Sequence, residues 1–127
     1  MHAEGLAGRR VLVVEDESMV TMLLLDLLNE IGCEVAGTAS RLGEAMNKAL
    51  TLAFDVAILD VNLNGEMSFP LANALLARGR PLVFATGYGA TSLPTNLQSV
   101  PILQKPFLRE ELVRALCKAD VVGTAER

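Results

Sequence analysis

Five short apolar runs punctuate this chain, each closing on a polar or charged residue, and between most of them the apolar positions recur at helical spacing. The first run, Arg10 to Val14, is β-branched and stops at Glu15-Asp16-Glu17. From Ser18 the period becomes helical: Val20, Leu23, Leu24, Leu27, Leu28 and Ile31 form one stripe, and Gly32 supplies a stop. Met19, Met22 and Leu25 widen that surface, for which deep burial is expected in preference to a partner-facing patch. A weaker strand, Cys33 to Ala39, leads to a helix with Ser40 as its expected N-cap and Leu42, Ala45, Met46, Ala49 and Leu50 turned inward. The next run is apolar from Val56 to Leu59 and ends on the carboxylate of Asp60, after which Val61-Asn62-Leu63-Asn64-Gly65-Glu66 is turn chemistry.

A helix over 69–78 follows, with Pro70 tolerable only in its first turn, and it ends at Gly79. Pro81 to Thr86 is a fourth strand. The segment 87–99 holds two glycines, a proline and few periodic apolar positions, so any helix in it is expected to be short and mobile. Pro101 to Lys105 is the last strand, and Leu108, Leu112, Ala115, Leu116 and Ala119 mark a final amphipathic helix. Five strands alternating with about five helices require right-handed crossovers and a parallel sheet covered on both faces, an α/β architecture. One domain over 9–119 accounts for nearly all of the chain, with 1–8 as a leader and 120–127 as a tail.

Composition narrows the function classes. The chain has 127 residues, 51% of them hydrophobic, but no apolar run approaches the ~18 residues that a membrane span requires, so one soluble domain is expected. A net charge of −4 argues against nonspecific nucleic-acid binding. Cys33 and Cys117 form neither a metal pattern nor a disulfide framework and read as reduced thiols of a cytosolic protein. The first residues lack the basic and apolar regions of a signal peptide, so export is not expected.

In a doubly covered parallel sheet, ligands sit outside the carboxyl ends of the strands. Glu15 and Asp16, Asp60, Thr86 and Lys105 each close a different strand, which brings them to one edge. Three carboxylates there repel one another unless pKa values rise or a cation binds. Hard oxygen ligands without nearby His or Cys favour Mg²⁺ over zinc. Asp60 could then act as a nucleophile toward a phosphoryl group, with Lys105 as fixed cation and Thr86 as hydroxyl donor. Each of these residues alone has an ordinary structural reading, a helix cap or a solvated lysine; their joint occurrence in this order gives the pattern its weight.

With those residues in place the chain resembles the receiver domains of bacterial two-component response regulators. The resemblance rests on Glu15-Asp16, Asp60, Thr86 and Lys105-Pro106 and covers about residues 9–119. It implies a flavodoxin-like (CheY-like) sheet of strand order 2-1-3-4-5, and phosphorylation of Asp60 by a phosphohistidine on a sensor histidine kinase. It further implies Mg²⁺, or Mn²⁺ in its place, held by Asp16, Asp60 and the backbone carbonyl of Asn62, with Glu15 reaching it through water. Thr86 and Lys105 would contact the phosphoryl group, and the bond before Pro106 would be cis. Two features depart from the pattern or mark a subset. Ile102 stands where receivers commonly carry a switch aromatic, and Phe84-Ala85-Thr86-Gly87-Tyr88 resembles a single-domain subset with a Phe-Ala-Thr-Gly-Tyr motif, in which Tyr88 is a candidate rotamer reporter beside the switch Thr86.

The function expected is that of a stand-alone response regulator acting through phosphorylation-dependent contacts with a downstream protein, with no direct nucleic-acid or membrane partner. It would be a cytoplasmic phosphoacceptor and not an enzyme, a monomer or a weak homodimer through the last helix near Val113 and Cys117. One alternative is a receiver module cut from a larger regulator or hybrid kinase, against which the initial Met and short leader argue only at the N-terminal side. Another is a flavodoxin-like or phosphatase-type enzyme, weakened because acids stand where a Gly-rich phosphate loop would follow the first strand.

Overall fold

The computed structural model of the chain describes residues 3–87 and 93–125. In chain order the elements are β1 (Arg10–Val14), α1 (Ser18–Ile31), β2 (Glu34–Ala39), α2 (Leu42–Thr51), β3 (Val56–Asp60), β4 (Asn62–Leu63), β5 (Glu66–Met67), α3 (Phe69–Ala77), β6 (Leu82–Thr86), β7 (Ile102–Gln104) and α4 (Arg109–Ala125). Five of the strands form one sheet in the order β2-β1-β3-β6-β7, with every neighbouring pair parallel. Counted within that sheet alone the order is 2-1-3-4-5, the flavodoxin-like arrangement expected. Strands β4 and β5 pair antiparallel as a separate small hairpin directly after β3.

Side chains of successive strand residues point to opposite faces, so each apolar run feeds two cores. Val11, Val13, Ile58, Val83 and Ala85 pack with Leu24, Leu28 and Ile31 of α1 and Leu112, Ala115 and Leu116 of α4. Leu12, Val14, Ala57, Leu59 and Phe84 pack with Ala45 and Ala49 of α2 and Leu71, Ala72 and Leu75 of α3. Strand β3 is buried at all five positions, and its apolar run yields to Asp60 where it leaves the sheet. Pro70 sits in the first turn of α3, where its missing N–H costs nothing.

Local chemistry shifts several boundaries. Cys33 belongs to the end of α1 and not to β2: Gly32 takes φ 96°, and the Gly32 and Cys33 amides both donate to the Leu28 carbonyl. Ser40 does not cap α2 with its side chain. Arg41 holds the cap position, and the Ser40 amide instead donates to Glu44 Oε1 at 3.1 Å. Leu50 is exposed, because it lies about 140° around the helix from buried Ala45. Leu108 is exposed too: it precedes α4, and its amide donates to Glu111 Oε1 at 2.7 Å. Helix α4 runs on to Ala125, past the expected end at Ala119.

The broad apolar surface of α1 is the largest departure. Met19 is 81% exposed and Met22 64%, and Leu23 is exposed as well, while Leu25 is half-buried. The core on this face takes the stripe of Leu24, Leu28 and Ile31 with Val20, Leu25 and Leu27 half-buried beside it, so burial is not the fate of the two methionines. Of the segment 87–99, the described part contains a 3₁₀ turn, Thr95–Leu97, that buries Leu97 in the core beside Phe84 and Leu93. No helix among the described residues is long and apolar enough to cross a membrane.

Candidate functional site

The parallel ladder sets the site. Ladder partners Val14 and Leu59, then Asp60 and Ala85, then Thr86 and Gln104, step along the ends of β1, β3, β6 and β7, so the residues that close these strands lie side by side. The Glu15 amide still donates to the Ala39 carbonyl at 2.9 Å, which carries β1 one residue into the site. Only 3% of Glu15 and 7% of Asp60 is exposed, and Thr86 is equally buried. One carboxylate oxygen each from Glu15, Asp16 and Asp60 lie within 4.8 Å of one another.

Lys105 bridges two of these acids. Its Nζ lies 2.8 Å from Glu15 Oε1 and donates to Asp60 Oδ2 at 3.2 Å. The Glu15 contact is an ion pair without hydrogen-bond geometry, and among the described residues Glu15 Oε1 has no hydrogen-bond donor. Glu15 Oε2 accepts from the Glu17 amide, and Asp60 Oδ1 from the Asn62 amide at 3.2 Å. The Lys105 amide donates to the Thr86 carbonyl at 2.9 Å, which fixes the β6 and β7 ends together. The Lys105–Pro106 bond is cis. A cleft of about 640 Å³ opens over the acids, lined among others by Asp16, Asp60, Asn62, Met67, Thr86 and Lys105.

Five of the residues singled out in the sequence, Glu15, Asp16, Asp60, Thr86 and Lys105, thus meet at one edge. Ile102 opens β7 opposite Phe84 and packs, half-buried, against the core on the α2/α3 side. Tyr88 lies outside the described residues. The hairpin of β4 and β5 and its Met67 were not foreseen, although Asn64-Gly65 between short strand-forming pairs is a hairpin signal.

Half-buried Lys105 faces more negative charge than it can neutralise. Burial, then the Glu15 charge, then hydrogen bonding to Asp16 push the Asp60 carboxyl up to about 7, and Lys105 only partly opposes them. Burial works against the Lys105 charge, but its close ion pair with Glu15 and the fields of Asp60 and Glu15 leave its pKa above the ordinary lysine value. An all-oxygen, carboxylate-rich donor set with surplus negative charge fits a hard divalent cation.

A family model of the response regulator receiver domain matches residues 11–117. The chain belongs to that family. Among curated relatives, the receiver is 48% identical over 117 residues to a protein-glutamate methylesterase/protein-glutamine glutaminase of Archaeoglobus fulgidus, covering 92% of this chain and 28% of that one. It is 31% identical over 113 residues to the sensory transduction protein LytR of Staphylococcus haemolyticus, covering 86% of this chain and 44% of LytR. The chain therefore spans less than half the length of these two proteins. Among solved structures, SdrG of Sphingomonas melonis Fr1 superposes with a TM-score of 0.80 at 38% identity, covering 94% of this chain and 98% of that one; SdrG has also been solved in a BeF3-activated conformation. The receiver is thus homologous to the response regulators of two-component systems.

The charge balance of this receiver has a measurable effect. With its folded pKa near 7, Asp60 holds a proton that the unfolded chain releases near pH 4. Stability of the metal-free protein is therefore expected to fall as pH rises from about 4 to 7, by on the order of 3 kcal/mol, and to level off above. Asp60→Asn should flatten this slope and leave the variant more stable than the parent at pH 7.5. Urea unfolding across that range checks it; a slope that persists in the variant would assign the titration to another group.

Proposed function

We propose that this receiver is a Mg²⁺-dependent phosphoacceptor whose Asp60 takes a phosphoryl group from the phosphohistidine of a sensor histidine kinase. The observation that carries the reading is a single one: Asp60, buried at the end of the central strand, faces a cleft with Lys105 at 3.2 Å and two further carboxylates alongside. In the transfer, an Asp60 oxygen attacks phosphorus, the new O–P bond forms as the histidine N–P bond breaks, and the imidazole leaves with the bonding pair. Lys105 and the Thr86 hydroxyl hold the phosphoryl oxygens, and Lys105 turns to them from Glu15 and Asp60. Asp16, Asp60 and the Asn62 carbonyl would hold the metal, with Glu15 reaching it through water. A bound Mg²⁺ supplies neutralisation of the charge that gathers on the transferring oxygens.

Phosphorylation would then favour a conformer made by the new Thr86 and Lys105 contacts, read by a downstream protein in the cytoplasm. That SdrG has a BeF3-activated conformation favours activation at the phosphoryl site.

Incubation with Mg²⁺ and acetyl phosphate, followed by intact-mass measurement, tests the assignment. The parent protein should gain one acid-labile phosphoryl group that Asp60→Asn does not take up and that EDTA prevents. Equal labelling of the variant would defeat the reading.

A further inference from the structure

The hairpin that follows Asp60 is built to hold one backbone group in place. Leu63 pairs with Glu66 and Asn62 with Met67 across the two-residue turn Asn64-Gly65, in which both residues take positive φ, 55° and 98°. These are the signs of a type I′ turn, whose twist matches that of a hairpin. The Ser68 amide donates to the Val61 carbonyl at 2.9 Å, so Val61 and Ser68 form a hydrogen-bonded position of the ladder. Antiparallel ladders alternate, and Asn62 therefore occupies a position whose N–H and C=O both point away from β5. Its N–H reaches Asp60 Oδ1 at 3.2 Å, so its carbonyl faces the same side, toward the acids.

The Asn62 side chain does not share that direction of bonding. Its Oδ1 accepts from the Gly65 amide at 2.7 Å and closes the turn from within. Ser68, fully buried, secures the base of the hairpin through both its amide and its hydroxyl on the Val61 carbonyl. A loop without these ties would leave the Asn62 carbonyl free to rotate.

We propose that the Asn62 side chain and Gly65 are positioning residues, which lock the hairpin and so hold the Asn62 main-chain carbonyl at the acidic site for the divalent cation. The inference rests on the metal-dependent reading above and adds to it: a side chain that never touches the metal sets the affinity for it.

Mg²⁺ titration followed by NMR shifts of the site amides, on the full chain without phosphodonor, tests this. Asn62→Ala removes the acceptor. Gly65→Ala puts a side chain at φ 98°, where L-residues are strained although nothing lies within 4 Å of the added Cβ. Each is expected to weaken Mg²⁺ binding about tenfold, as loss of an orienting partner does. Gly65→Asn, which enters the left-handed region more readily, should recover most of the affinity. Of β4 and β5 only Leu63 enters a core, and neither substituted residue does, so thermal unfolding of all three variants should stay close to that of the parent. Unchanged Mg²⁺ affinity in both alanine variants would overturn the proposal. So would a loss confined to Asn62→Ala, which would make its carboxamide a direct participant. Absence of Mg²⁺ binding in the parent would instead sink the functional reading itself.

Discussion

Exchange of Lys105 for methionine is expected to lower the stability of the metal-free receiver by about 3 kcal/mol at pH 8, the usual scale for removing one partner of a buried ion pair. Lys105 is the cation between Glu15 and Asp60, and 17% of its side chain is exposed, which places the loss at the lower end of that scale. Methionine retains most of the apolar stem, so the change falls on charge more than on packing. Asp60 already titrates near 7, and the lysine field is what lowers it, so its removal raises Asp60 further. The unfolded chain keeps an ordinary carboxylate, and the deficit is therefore greatest at alkaline pH and shrinks toward pH 5 as folded Asp60 takes up a proton. Millimolar Mg²⁺ should recover part of it at pH 8, since a cation bound only by the folded protein stabilises it. Urea unfolding at pH 8, 6.5 and 5 reads all three effects. A deficit that ignores both pH and Mg²⁺ would mean that Lys105 acts through packing alone.

Phe84→Ala should cost about 3–5 kcal/mol, the range for truncating a buried phenylalanine. Phe84 is wholly buried at the centre of β6, pairs with Leu59 and Ile102 on either side, and meets Phe69 edge-on at 6.2 Å and 88°. Few neighbours can close the void, because the sheet above and helix α3 below are both tied by their own hydrogen bonds. Phe84 also stands two residues before Thr86, so loss of packing there loosens the strand that presents the hydroxyl. The denaturation midpoint should drop with little change in the urea dependence. A loss below about 1 kcal/mol would show that the site collapses freely.

The strand ends were legible because buried strands advertise their exits: Val14 to Glu15, Leu59 to Asp60 and Ala85 to Thr86 each step from apolar to polar at the sheet edge. Chain order and the parallel-sheet rule then sufficed to bring Glu15, Asp16, Asp60, Thr86 and Lys105 together. Periodicity failed where it was saturated or short. In α1 nine of the fourteen positions are apolar, spread beyond one stripe, so the pattern does not distinguish the stripe of Leu24 and Leu28 from exposed Met19 and Met22. In α2 the small residues Ala45 and Ala49 define the buried face, and the larger Leu50 misleads. Two-residue strands such as β4 and β5 lie below the length at which alternation can be read, and there the left-handed turn at Asn64-Gly65 was the usable signal.

The burial of β3 on both faces bears on the clock of the molecule. A strand hydrogen-bonded to β1 on one side and β6 on the other cannot release its amides by fraying, so Val56 to Leu59 are expected to exchange with solvent deuterium only when the sheet opens. The exposed residues of the adjoining hairpin are expected to exchange faster. Asp60 stands on the boundary between the two regimes, the last residue of the segment expected to exchange most slowly and the neighbour of one expected to exchange faster, so the site is anchored in the part of the fold that opens last.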